Sequence, residues 1–503
     1  MTPARLALVA ALVAALCAAS VPVLDEESYL AIAGQLDPLR PYDWWRPWPP
    51  WNGAREADAF VYAHPPLFLW WTWAVTTLPL PFSIAHRLVG VPFAALLGGS
   101  VAVLAQHTCR RPALAGLVWL TAPVVVLSLQ RGFMPDLMVA ALMTAAVAGW
   151  VRAQWAVAGL MLGLAIWTKY PAMMVIPALL LDGVVRGSLR RSGALWLVAA
   201  AVFVLGEGWL AASYGRIHLI EVLTRAGEIP RGEVWGRLLG VLTRLSLIGP
   251  MLLVLLPPGR RLVGLPAVFL AGLVFVLADP VTLPEQSGAL LVLAVLGGLC
   301  LTVSLLALRR GVMTGGSEVL LGSWALCVIG GVAIGHNFAA ARYLLPASAP
   351  IVLLVVMSLE QRRLGRQALM AGAAVCGLLS VVLTRSEHRY AAAADDLAEQ
   401  VIAAHPVGQF TGEWTFRWRM EQAGWVFYTG DVVPGVVVAA LVNGSPGALP
   451  EGWRELERRR VPGTGLRVIA VADRIGLYGE TLGPLPMGWS DAALEEVVVW
   501  QAQ

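Results

Sequence analysis

Residues 21–36 read VPVLDEESYLAIAGQL, and they end a long apolar N-terminal run abruptly at Asp25, Glu26 and Glu27. The preceding stretch, ARLALVAALVAALCAASVPVL over residues 4–24, admits two readings. Arg5 ahead of an apolar core, with the small residues Ala18 and Ala19 near its end, has the makings of a signal peptide. Retained, the same run is a first spanning helix that delivers three acids to the membrane surface. Retention is the reading adopted, because the charges further along the chain then fall on consistent sides.

The whole chain fits a membrane setting. Of 503 residues, 58% are hydrophobic and 14% charged, and the mean hydropathy is +0.70, far more apolar than an average soluble domain. A formal net charge of +4 gives no case for nucleic acid as a partner. Cys17, Cys109, Cys300, Cys327 and Cys376 lie in or beside apolar runs without a CxxC pair. Neither disulfides nor a thiolate zinc site is expected.

Sidedness follows from the arginines, which concentrate in cytoplasmic loops. Clusters stand at Arg110 and Arg111, at Arg152, at Arg186, Arg190 and Arg191, at Arg260 and Arg261, at Arg309 and Arg310, and at Arg362, Arg363 and Arg366. Placing all of them inside puts spans near residues 6–23, 84–106, 113–130, 137–151, 156–168, 171–184, 194–212, 245–258, 262–279, 288–308, 318–335, 343–358 and 367–384. The fold expected is therefore an all-α polytopic membrane protein of about thirteen transmembrane helices, N-terminus inside. One apolar stretch must not span: HPPLFLWWTWAVTTLPLP, residues 64–81, bounded by prolines and rich in tryptophan, suits an interfacial or re-entrant helix.

That topology gives the outer face its own composition. A first outer loop, residues 24–83, carries Asp25, Glu26, Glu27, Asp37, Asp43, Glu56, Asp58 and His64 beside the aromatic YDWWRPWPPW. On the same face fall Arg87, Arg131 and Asp136 of QRGFMPD, Lys169 and Tyr170 of WTKYP, Glu207, and His336, Arg342 and Tyr343 of HNFAAARY. Ionisable groups at such depth are costly and mark candidate function. Each also has a structural reading: snorkelling for the arginines, a salt bridge from Lys169 to Asp136 or Glu207, and a helix N-cap for Asp136.

Five motifs then occur in order: LDEESYLAIA, HPPLFLWW, HRLVGVPFAALLG, PDLMVAALMTAAVAGW and GLMLGLAIWTKYPAMMVIPALLL, with ARYLLPASAPIVLL later. In order and spacing they resemble the integral-membrane, lipid-linked-sugar glycosyltransferases of GT-C fold, in particular the protein O-mannosyltransferase and aminoarabinose transferase group. The likeness covers residues 1–360. It implies transfer of a sugar from a polyprenyl-phosphate carrier to a protein, lipid or glycan acceptor on the extracytoplasmic side, with inversion.

By that resemblance Asp25 is the base that takes the acceptor's proton, with Glu26 beside it, and Asp136 is a second acid that orients the acceptor or joins a metal site. Arg87, Lys169, Arg342 and His64 surround the carrier phosphate, and Tyr29, Tyr170 and Tyr343 complete the substrate contacts. His64 stands where members often carry lysine, and a histidine need not be charged at neutral pH. No cofactor is implied, and a divalent cation is left open. The expected setting is the cell (inner) membrane, with the site and the C-terminal domain facing the periplasm or exterior.

From Ser386 the hydropathy drops. YAAAADDLAEQVIAAH reads as an amphipathic helix, and VGQFTGEWTFRWRM, GVVVAALV, LRVIAVADRIGLYGE and LEEVVVWQA read as strands. The expected division is a transmembrane module, 1–385, and a small C-terminal extracytoplasmic α/β domain, 386–503, without a recognisable catalytic motif. Rival readings are a transporter or flippase, which uses embedded charges and broken helices too, an outer-face glycan ligase, and an assembly protein whose charged residues are individually dispensable.

Overall fold

The computed structural model describes residues 2–45, 59–62, 64–228, 234–249, 271, 273–274, 286–336, 339–361, 366–430, 434–444, 453–477 and 482–501. The expected spans 245–258 and 262–279 lie largely outside the described residues, as do Glu56 and Asp58.

The chain is an integral membrane protein of mostly helical build. Among the described residues six helices are long and apolar enough to cross a membrane, and a bent pair makes a seventh. Besides the one-turn helix Ala59–Tyr62, the α-helices in chain order are α1 Pro3–Cys17, α2 Glu26–Gln35, α3 Leu67–Thr76, α4 Phe82–Thr108, α5 Pro112–Leu120, α6 Pro123–Leu129, α7 Pro135–Val151, α8 Trp155–Thr168, α9 Ile176–Val185, α10 Gly193–Tyr214, α11 His218–Glu228, α12 Val234–Leu245, α13 Ser287–Thr314, α14 Glu318–Gly335, α15 Leu345–Gln361, α16 Arg366–Ala404 and α17 Trp414–Gln422. A lipid solvent offers backbone groups no partner, so apolar runs this long close their hydrogen bonds within helices.

Proline sets several boundaries. It opens α1, α5, α6 and α7 at the first helical positions, where its missing N–H costs nothing. The run expected as one span over 113–130 is broken before Pro123 into α5 and α6, bent by 67°. The first helix stops at Cys17 rather than near residue 23, and Pro22 keeps it from resuming at Val21 or at its own position. The segment 18–25 is therefore non-helical and carries Asp25 to the start of α2. Between α8 and α9 the chain makes a tighter helical turn, Tyr170–Val175, straight after Lys169. Helix α3 has 10 residues, which at about 1.5 Å per residue is half a bilayer core.

Helix α16 has 39 residues and passes Ser386 without a break. At about 1.5 Å per residue it is nearly twice the length that a bilayer core needs, so its second half stands clear and becomes one wall of the C-terminal unit. There Ala394, Leu397, Ala398 and Val401 pack with Phe410, Phe416, Met420, Phe427, Ala439, Leu441, Val497 and Val499. The sheet in that unit runs β1 Gln409–Thr411, β2 Val426–Phe427, β3 Val437–Leu441, β4 Arg454–Val461 and β5 Glu495–Gln501, in the order β2-β1-β3-β5-β4. β1 is parallel to β2 and β3, and β5 is antiparallel to β3 and β4.

Two details depart from the sequence reading. WTFRWRM is helix α17 rather than strand, stapled by Arg417 to Glu413 and Glu421 four residues to either side. RELERRRV, read as no element, is the edge strand β4, whose charges suit an edge that must not pair with another chain.

The unit is sewn onto the helical part. Ala341 N–H donates to Leu477 O at 3.3 Å, Gln286 Nε2 to Asp473 O at 2.6 Å, Arg244 Nη2 to Gly483 O at 3.1 Å and Thr415 Oγ1 to Pro22 O at 2.6 Å.

Candidate active site

Four chain segments, spread from residue 25 to residue 342, deliver one charged cluster. Asp25 comes from the segment after α1, Asp136 from the first turn of α7, Lys169 from the end of α8, and Arg342 from the one-turn helix Ala341–Leu344 ahead of α15. Arg342 is the hub: its Nη1 lies 2.8 Å from Asp25 Oδ2 and its Nε 3.7 Å from Asp136 Oδ2. Lys169 Nζ donates to Asp136 Oδ1 at 2.8 Å. The formal charges cancel, two acids against two bases.

The acids differ in access. Asp25 keeps 37% of its side chain exposed, whereas Asp136 keeps 7%. A molecule arriving from solvent can reach the first and not the second. Buried pairs such as Lys169–Asp136 are expensive to assemble and more expensive to break from one side.

Tyr343 frames the cations. Its ring lies 4.6 Å from Lys169 Nζ and 5.2 Å from the Arg342 guanidinium carbon, and His336 stacks on it at 4.3 Å between centroids. Asp136, Lys169, His336, Arg342 and Tyr343 form the polar end of a pocket whose walls are Val139, Met143, Ala172, Met174, Val328, Val332 and Pro346. The pocket is therefore charged at one end and apolar along the rest, with Asp25 on the far side of Arg342. His64 belongs to the same neighbourhood: burial, reinforced by Lys169 and Arg342, holds its imidazole well below the ordinary histidine value, although Asp136 opposes this. At neutral pH His64 is a neutral group, and its backbone carbonyl accepts from Tyr42 Oη at 3.0 Å.

The other candidate residues lie apart from this cluster. Glu26 is fully buried and turned to the protein: its Oε2 accepts from Val23 N–H at 3.0 Å, and its Oε1 accepts from Phe133 N–H at 2.9 Å and lies 2.8 Å from His86 Nε2. It thus ties the segment leading to Asp25 to the segment leading to Asp136. Arg87 donates to Ala15 O at 3.0 Å and Ser83 O at 2.6 Å, fastening α1 to α4. Tyr170 contacts Glu207 and lies 2.6 Å from His218 Nδ1. Tyr29 meets Phe68 edge-on.

Two contributors escaped the sequence reading. Glu387 on α16 is fully buried and binds both Arg131 and Gln130, bracing the loop ahead of Asp136. Trp414, at the start of α17, donates its indole N–H to Asp25 Oδ1 at 3.2 Å. Among the described residues no three His, Cys, Asp or Glu side chains gather as a metal site. A divalent ion there would displace the cations now held by Asp25 and Asp136.

Fold and cluster together define a polytopic helical membrane protein with an ionic site at the head of an apolar pocket, roofed by a C-terminal α/β unit. No family model and no curated protein matches the chain. Among solved structures it is similar to the crystal structure of ArnT from Cupriavidus metallidurans bound to undecaprenyl phosphate, with 17% identity, covering 82% of this chain and 83% of that one, at a TM-score of 0.43. At that score the likeness carries no weight for the site, whose reading rests on its residues.

Proposed function

We propose that this protein transfers a sugar from a polyprenyl-phosphate carrier to an acceptor hydroxyl or amine at the outer face of the membrane, with inversion. The observation that carries the reading is the placement of Lys169 and Arg342 at the head of an apolar pocket, with the more exposed Asp25 across Arg342. A lipid phosphate needs both halves of that pocket: apolar walls for isoprenoid carbons and fixed cations for the phosphodiester.

Asp25 is the general base. As acceptor oxygen or nitrogen attacks the anomeric carbon its proton passes to the Asp25 carboxylate, and the carbon–oxygen bond to phosphate breaks. The leaving phosphate departs as an anion and needs no proton donor. Lys169 and Arg342 stabilise it, Arg342 through its fork and Lys169 as a point charge, and in a water-poor pocket such charges act strongly. Asp136 holds Lys169 in place and keeps both cations oriented. Donor binding also prepares the base, because the phosphate competes with Asp25 for Arg342. Freed from its ion pair, the carboxylate becomes a better proton acceptor.

Purified protein in nanodiscs, offered a panel of radiolabelled polyprenyl-phosphate sugars with crude membrane extract as acceptor, tests this. Carrier-dependent transfer is expected in the wild type and its loss in Asp25→Asn, with donor binding retained. Full activity in Asp25→Asn, or no donor consumed at all, sinks the reading and favours transport of a lipid-linked or anionic substrate.

A further inference from the structure

We propose that the C-terminal unit completes the site, with Trp414 as the positioning residue that fixes the Asp25 carboxylate. Asp25 carries two oxygens with two different partners: Oδ2 faces Arg342 at 2.8 Å, and Oδ1 accepts the Trp414 indole N–H at 3.2 Å. When a phosphate draws Arg342 away, the indole is the contact that remains. It sets which oxygen, and which lone pair, is presented to the acceptor.

The backbone on both sides of the contact is strained. Leu24, just before Asp25, has φ of 58°, and Trp414 has φ of 65°, left-handed values that bulky side chains rarely adopt and that cost on the order of 1–2 kcal/mol each. Strain of this kind persists only where the surroundings impose it, and it gathers at functional sites. Here the surroundings are the docking of α17 against the chain around Asp25. Thr415 Oγ1 donates to Pro22 O, and the fully buried Arg417 is held by Glu413 and Glu421 with Glu27 of α2 close by. Tyr390 packs edge-on against the indole at 6.0 Å between centroids. An indole wedged this firmly acts as a fixed donor.

Only the role of Asp25 as base rests on the transferase reading; the contact itself can be observed without turnover. Protein labelled with 5-fluorotryptophan and studied by fluorine NMR gives a Trp414 signal, assigned by its disappearance in Trp414→Phe. Asp25→Asn is expected to shift that signal. In the carrier-dependent assay Trp414→Phe is expected to lower kcat about tenfold, the worth of one hydrogen bond to a charged group, with donor KM unchanged. Thr415→Val, which removes a docking bond but leaves the indole, is expected to keep wild-type kcat.

The proposal falls if the Trp414 signal ignores Asp25→Asn, or if Thr415→Val loses as much kcat as Trp414→Phe, since docking in general would then be the cause. A wild type that transfers nothing from any donor would overturn the transferase reading instead. The fluorine signal would still decide whether Trp414 holds Asp25.

Discussion

Arg342 Nη1 and Asp25 Oδ2 are 2.8 Å apart, so the residue proposed to grip the leaving phosphate is the ion-pair partner of the residue proposed as base. The pair makes substrate binding and base activation one event. Arg342→Lys keeps the charge but loses the fork that reaches both acids. Its kcat/KM is expected to fall about ten- to a hundredfold, as for loss of a charge-assisted hydrogen bond. Asp25→Asn should lose about 10²–10⁴-fold in kcat, the usual worth of a positioned base, while binding the carrier phosphate at least as tightly, because its competitor for Arg342 has lost its charge. Carrier binding by the two variants, measured by fluorescence titration, separates these roles.

The Lys169–Asp136 pair predicts a different pattern. Both side chains are buried and 2.8 Å apart, so removing either partner leaves an uncompensated charge at a cost of about 3–5 kcal/mol. Lys169→Met and Asp136→Asn should each lower the thermal midpoint markedly. The double variant should recover most of the lost stability yet transfer no sugar. A double variant as unstable as the singles would show that the pair is not the source of the destabilisation.

The parts of this arrangement legible in the sequence are those in which residue type alone is improbable. Lys169 and Asp136 stand in apolar helices where a charge is costly, and Arg342 at the mouth of one; such residues announce themselves. What depth in the membrane does not reveal is the partner. Arg87, expected at the carrier phosphate, instead donates to the carbonyls of Ala15 and Ser83. Glu26 adjoins Asp25, yet a helix start turns neighbouring side chains in different directions, and Glu26 faces His86. Trp414 gave no signal, because a tryptophan outside the apolar runs is ordinary and its meaning comes from a left-handed backbone and a docked helix. Strand β4 was illegible for a related reason: its nearly continuous charges match no buried face, and it exists because β5 supplies pairing and Glu496 answers Arg458 and Arg460.

Glu495 gives the C-terminal unit a pH dependence. Its carboxylate is fully buried and accepts from Tyr390 Oη at 2.7 Å, Asn443 N–H at 2.8 Å and Glu496 N–H at 2.9 Å, yet burial outweighs these bonds and pushes the carboxyl up to about 7 from an ordinary 4.5. Between those values the folded state binds the proton and the unfolded state does not. Stability from this group is therefore complete below about pH 4.5 and is lost as the pH rises through 7, in all about 3 kcal/mol. The wild type should melt at a higher temperature at pH 5 than at pH 8, relative to Glu495→Gln, in which this part of the dependence disappears. Equal slopes in the two proteins would remove Glu495 as the cause.

Gly132 tests whether the loop ahead of Asp136 must lie flat against α4. A Cβ added there would meet His86 O at 2.2 Å, and its own Cα already sits 2.9 Å from where a Cβ on Gly90 would fall. The obstacle is backbone, which cannot rotate aside, so Gly132→Ala must push the loop away. The same movement breaks Phe133 N–H from Glu26 and slackens Arg131 against Glu387, and so carries Asp136 and its hold on Lys169 out of register. Overpacking of this sort costs about 1–3 kcal/mol, a loss that a large helical core survives, whereas catalytic geometry does not tolerate a shift of an ångström. Gly132→Ala is thus expected to fold, with a thermal midpoint a few degrees lower, and to lose most of its kcat. Wild-type turnover in that variant would mean that the placement of Asp136 does not depend on the loop's close approach to α4.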